Sequence, residues 1–286
     1  MALKPIHARI PELMRCKVAE MPGQYDSSLT RVQPFFERAL GLDTPWLASL
    51  LAAAPAGRRA LGDLVDEPGE MLPALLAPHK QEKASRACFE FEVLPDKRFL
   101  RWCVLSPDRL TWPAVTYGDD TTLMRRALLF DEPPGRATVQ PEAVRLIAEL
   151  PASTRAWWRF EGSSWIDCLI GTDRLVITIE GKRTEPLSVA THWYPTRSQL
   201  VRNLEAARQL AKGRAWGTLL ISETPVVGGK PDELAATLDD AAPHLDDAER
   251  AQLQNAYLGN ITWRNACAAI GVPFDELPAK TPISDA

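Results

Sequence analysis

Glu180 and Lys182 stand two residues apart at the end of the run Leu175-Val176-Ile177-Thr178-Ile179. In an extended strand, residues i and i+2 share a face. An acid and an amine therefore sit side by side at the rim of a core, where charge is costly unless paired or coordinated. Asp167 lies upstream, across the turn Gly171-Thr172-Asp173. A hairpin through that turn brings Asp167 toward the Glu180 end. Two carboxylates on neighbouring strands can share a divalent cation. Oxygen-only ligation with positions left for water suits Mg²⁺, with Mn²⁺ as the alternative. The chemistry such a group serves is phosphodiester hydrolysis, in which the metal polarises the phosphoryl oxygen and helps form hydroxide. A nearby lysine orients the water and offsets charge building on the phosphate.

Other side chains surround this group in sequence. Gln199, Arg202 and Asn203 cluster on one face of a helical segment, at a spacing that lets polar groups converge on one ligand. An ordinary solvated face explains the same pattern equally well. Arg183, Thr184 and Glu185 extend the motif to EGKRTE, and with Trp193, Tyr194 and Arg197 they can wall a scissile phosphate. Glu161 becomes a further catalytic or metal-binding candidate if Gly162-Ser163-Ser164 bends the chain; Glu37 reads chiefly as a surface residue. Ser188 and His192 share a loop, but no GxSxG elbow accompanies them, and no phosphate-binding glycine loop is present.

The elements that must position these residues follow from pattern. Residues 27–54 read as two short helices, the second opened by Thr44-Pro45. CFEFEVL (88–94) alternates as a strand, PDKR reads as a turn, and FLRWCVL (99–105) as a second strand, giving a hairpin. A helix is expected from Pro141, ending at Pro151. AWWRFEG and SWIDCLI read as extended, RLVITIEGK as a β-branched strand, and WGTLLISE as another. Between the last two, RSQLVRNLEAARQLAKG is the strongest helix, with Leu200, Leu204, Ala207 and Ala211 as its apolar stripe. From Pro231 the tail reads as helical, with Thr262 as a cap, and TPVVGGKPD is the best candidate boundary.

The stretch IDCLIGTDRLVITIEGK, followed by a basic helix and a strand, resembles the PD-(D/E)XK nuclease superfamily. Ile166 stands where the signature proline would be. The resemblance covers residues 156–224. It implies Asp167 and Glu180 as metal ligands, Lys182 as base or electrostatic partner, and a helix glutamine, here Gln199, beside the site. The fold expected is α/β, a mixed central sheet flanked by helices. One domain is expected, with a helical and hairpin elaboration over 1–140, a nuclease-like core over 141–224 and an acidic helical region over 225–286.

Composition narrows the partners. Hydrophobic residues make up 45% and charged residues 24% of 286, as in ordinary globular chains, and no run approaches the ~20 apolar residues of a membrane span. The N-terminus lacks an apolar stretch of signal-peptide length, so a cytoplasmic location is expected. The five scattered cysteines form no CxxC pair and read as small buried side chains. Net charge is −4, yet Arg174–Arg214 holds eight Lys/Arg against three Asp/Glu, while 223–286 holds four against eleven. That places a locally basic stretch inside an acidic protein. DNA is expected over RNA as substrate, and the acidic C-terminal region is a surface for a protein partner. Three rivals remain: a non-catalytic binding module on the same fold, a structural or interaction protein in which Glu180 and Lys182 form a buried ion pair, and a toxin or defence component whose acidic tail binds a partner.

Overall fold

In the computed structural model, residues 27–65, 87–113, 120–183 and 185–279 are described, with side chains beyond the backbone omitted at 87–90, 120 and 121. Five strands make one sheet in sequential order: β1 (Ala87–Val93), β2 (Ser164–Gly171), β3 (Leu175–Lys182), β4 (Ala215–Ser222) and β5 (Tyr257–Thr262). β1, β2 and β3 form an antiparallel meander, and β3, β4 and β5 run parallel. β3 is therefore the central strand, and every one of its residues is buried. That burial explains its unbroken β-branched run, because a strand covered on both faces shows no polar alternation. The α/β fold with a mixed sheet between helices is as expected from sequence.

One face of the sheet carries Cys168, Ile170, Ile177, Ile179, Leu219 and Ile221. Helices α1 (Gln33–Leu40, entered through a π-turn at Ser28–Val32), α2 (Trp46–Ala53) and α3 (Gly57–Leu61) cover it. The other face is covered by the strongest helix, here numbered in chain order after α4 (Lys97–Leu105), α5 (Asp120–Phe130) and α6 (Arg136–Glu149). That helix, α7 (Gln199–Ala211), buries Leu200, Leu204, Ala207 and Ala211, the stripe read from sequence. Helices α8 (Pro231–Ala241) and α9 (Asp247–Ala256) pack against it, and α10 (Trp263–Ile270) returns to the first face. α4, α5 and α6 build a separate apolar cluster around Trp158, Phe160 and Tyr194.

Four expectations are corrected. FLRWCVL is not the second strand of a hairpin; it lies in α4. Its buried residues Phe99, Leu100, Cys103 and Val104 follow helical spacing, and Asp96 of the supposed turn is the N-cap, accepting from the Arg98 amide at 2.7 Å. α6 starts before Pro141 and contains it. Pro141 and Ala137 are both exposed, so the carbonyl that loses its helix donor is not shut away from solvent. AWWRFEG is irregular and contributes Trp158 and Phe160 to the α4–α6 cluster. The segment YLGNIT is strand β5, not a helix end. Its ladder to β4 shifts register between Thr218 and Leu219, and Gly259 sits there at φ 99°. A short strand with a bulge carries no clean alternation to read. Cys103, Cys168 and Cys267 are buried; Cys16 falls outside the described residues. Among the described residues no helix is long and apolar enough to cross a membrane.

Gly181, the middle residue of the Glu-x-Lys motif, fits only as glycine. A Cβ there would lie 2.2 Å from Val32 Cγ2 and 3.1 Å from the Trp263 ring. Gly181→Ala is predicted to destabilise the fold by about 1–3 kcal/mol through overpacking. In a Val32→Ala background the same change should cost less, as contacting residues couple. Urea denaturation of the four proteins checks this, and an equal penalty in both backgrounds contradicts it.

Candidate functional site

Position along the sheet follows from the β3–α7–β4 crossover. α7 begins at the sheet end where β3 finishes and runs back over it, as a parallel connection requires. Its register is fixed on the buried face by Thr178, whose hydroxyl lies 3.3 Å from the Asn203 carbonyl oxygen and 2.7 Å from the Thr218 hydroxyl. Two residues further along the same face comes Glu180, and the Asn203 side-chain amide meets it, donating to Oε2 at 2.6 Å. Ser198 caps α7, its hydroxyl accepting from the Val201 amide at 3.3 Å.

Glu180 is fully buried. Its Oε1 lies 2.7 Å from Lys182 Nζ, so the acid and amine that share a face form an ion pair. Lys182 is 8% exposed. Burial pulls its pKa down, but Glu180 and, behind it, Asp167 and Glu185 push it up by more, and the net value lies above that of an ordinary lysine. The amine therefore stays an ammonium at neutral pH. A raised lysine pKa means the stabilisation is complete below the usual lysine value and is lost as pH rises through the folded one.

Asp167 is half-buried on β2. The β2–β3 ladder is paired from Gly171↔Val176 to Cys168↔Ile179. One step beyond, the Gly181 amide donates to Asp167 Oδ2 at 2.8 Å. The carboxylate thus takes the place of a ladder carbonyl, and it lies on the backbone between Glu180 and Lys182, at the sheet end where those two pair. Asp167 and Glu180 supply oxygen donors of the kind Mg²⁺ takes, since that ion keeps several waters and needs only one or two protein carboxylates. The Lys182 ammonium has no lone pair to give and competes for Glu180. Among the described residues no cluster of three or more His, Cys, Asp or Glu arranged as metal ligands occurs.

Of the substrate-binding candidates, Gln199 is half-buried, and its Oε1 is 3.5 Å from the Ser188 amide. Arg202 is also half-buried and donates to the Ser163 carbonyl at 3.1 Å. Asn203 is buried and turned to Glu180, so it positions a carboxylate instead of touching substrate. Arg183 follows the motif and donates through Nη2 to the Ala279 carbonyl at 2.8 Å. Thr184 falls outside the described residues. Glu37 is exposed and accepts from Gln33, as a surface residue does.

Glu161 and Arg197 belong elsewhere. Arg197 is 1% exposed and forks onto Glu161 at 2.8 and 3.1 Å. It also forks onto Glu205 at 2.9 and 2.5 Å and lies 3.9 Å from the centre of the Phe99 ring. Arg202 stands 3.5 Å from Glu161 as well. Burial raises the Glu205 pKa, with Arg197 working against it. His244, 3.4 Å from Glu205, is held neutral, its pKa lowered to about 3 by burial and then by Arg197. Glu161 is therefore corrected from metal ligand to member of a buried ion cluster, and Arg197 from substrate contact to its centre. A cavity of about 500 Å³ adjoins this cluster, lined by Asp96, Arg98, Glu205 and Arg208 among others, and none of Asp167, Glu180 and Lys182 lines it.

Residues that spacing does not reveal complete the rim. The Trp263 indole donates to the Lys182 carbonyl at 2.9 Å, although it is far along the chain. Glu223, one residue past β4, donates its amide to the same carbonyl at 3.1 Å. Its carboxylate takes a bidentate fork from Arg31 at 2.9 Å on each arm, and this lowers its pKa. Glu223 had a signal in its place at the carboxyl end of a parallel strand; Trp263 and Arg31 had none. In comparison with known proteins, the chain matches no family model, no curated protein and no solved structure.

Arg197→Met is predicted to cost about 3–5 kcal/mol, because it strands two buried carboxylates. Thermal unfolding and oligonucleotide binding, measured together, check the assignment. A stable Arg197→Met protein with lost nucleic-acid affinity would overturn it.

Proposed function

We propose that this chain is a metal-dependent nuclease of the PD-(D/E)XK kind, hydrolysing phosphodiester bonds with DNA preferred over RNA. The observation that carries this is the Glu180–Lys182 pair at one sheet end with the Asp167 carboxylate on the Gly181 amide between them, in the order acid, hairpin, Glu-x-Lys, helix, parallel strand. Asp167 and Glu180 would hold the Mg²⁺ or Mn²⁺, which would polarise the phosphate and acidify a water. Lys182, kept charged by its carboxylate neighbours, acts as the cation that stabilises charge on the phosphate, not as a resting base. Asn203 orients Glu180. Arg183, the residue after the motif, together with Gln199 and Arg202 at the start of α7, would hold the polymer.

A second reading has one observation in its favour. Both oxygens of Glu180 are already engaged, by Lys182 and by Asn203. A non-catalytic binding module would keep that arrangement permanently. The two readings separate on activity. Purified protein is incubated with plasmid and with RNA in Mg²⁺, in Mn²⁺ and in chelator, beside Lys182→Ala. Cleavage that needs the metal and falls by about 10² or more in Lys182→Ala is predicted. Nucleic-acid binding without metal-dependent cleavage would leave the binding module.

A further inference from the structure

After α10 the chain turns through Pro273 into a short 3₁₀ turn at Phe274–Glu276 and then reaches Arg183, the residue that follows β3. Three arginines, two from the π-turn and α1 and one just past the end of β3, donate to its backbone carbonyls. Arg38 Nη2 reaches Glu276 O at 2.9 Å, Arg31 Nη1 reaches Pro278 O at 2.8 Å, and Arg183 Nη2 reaches Ala279 O at 2.8 Å. Phe274 is held between Arg31 and Arg264, with its ring centre 5.1 and 4.4 Å from their guanidinium carbons. Leu277 pins the segment by burying its side chain in the same core as Trp263. Two carboxylates, Asp275 and Glu276, stay exposed, the second 3.9 Å from Arg38.

Guanidinium forks match phosphate better than they match a neutral amide oxygen. Here one N–H from each of three guanidiniums is spent on an amide oxygen of an acidic segment, and one of the three belongs to the residue directly after Lys182. We propose that residues 273–279 form an acidic strap that occupies part of the nucleic-acid path, and that its release exposes Arg38 and Arg183 to phosphates. Arg31 keeps its fork on Glu223 throughout. The strap regulates the site described above, so this inference rests on the nucleic-acid reading of that site.

The test is oligonucleotide binding in chelator, where cleavage plays no part. The probe is a labelled DNA duplex, read by fluorescence anisotropy at several salt concentrations. Leu277→Ser, which removes the pin from the full chain, should bind more tightly than wild type. Its gain should shrink about tenfold between about 50 and 200 mM salt, because each freed arginine adds about 0.9 to the salt slope. Adding Arg183→Gln should remove roughly half of that extra slope, which a merely structural loosening would not do. If Leu277→Ser fails to fold, Glu276→Gln, an exposed change, should give a smaller gain of the same sign. Wild-type binding with unchanged affinity and slope in the strap variants overturns the strap and leaves the nuclease reading intact. Absence of binding in every protein overturns both.

Discussion

Glu180 carries its carboxylate on the central strand with no exposed surface, and the surrounding residues are arranged around that one charge. An ionised acid taken out of water costs several kcal/mol unless partners replace the lost hydration. Lys182 supplies the countercharge and Asn203 the hydrogen bond, from two different elements. Neither partner can be moved independently. Lys182 is set by the strand's two-residue period, and Asn203 by the seating of α7 through Thr178 and Thr218. The pair therefore ties the register of the crossover helix to that of the sheet.

The same demand reaches outward through the backbone. Asp167 takes the Gly181 amide that the β2–β3 ladder no longer serves, and Trp263 takes the Lys182 carbonyl. Val32 and Trp263 close over Gly181 so tightly that a side chain has no room. The motif is thus clamped by residues from both ends of the described chain. Such rigid support is what a site acting through fixed charges requires. A second buried ion cluster, centred on Arg197, stands apart from it and fastens α7 to Phe99 of α4.

Legibility in the sequence followed the physics of each element. The central strand, the crossover helix and β4 were readable because their burial patterns are regular over a full element. That Glu180 and Lys182 share a face was readable for the same reason; Asp167 was readable only as a residue of the neighbouring strand, because its contact with the Gly181 amide lies past the paired ladder. α4 misled because Pro95-Asp96 serves equally as a turn and as a helix start, and only the spacing of Phe99, Leu100, Cys103 and Val104 decides. β5 was hidden by its glycine bulge. Glu161 and Arg197 looked like site residues because charge near a motif suggests a ligand, but buried acids and arginines also satisfy one another. Trp263 and Arg31 were invisible, since their contacts cross long stretches of chain that no local pattern encodes.

The central claim is that the carboxylates at this sheet end are held for a divalent cation, with Lys182 filling in as countercharge. Titration of Mn²⁺, followed by the loss of its free paramagnetic resonance signal, addresses it without any substrate. The account predicts one bound equivalent that disappears in Glu180→Gln and in Asp167→Asn. It also predicts that Lys182→Ala binds at least as tightly as wild type, because the competing ammonium is gone. Mn²⁺ uptake that is absent from the wild type, or indifferent to both carboxylate changes, would contradict it.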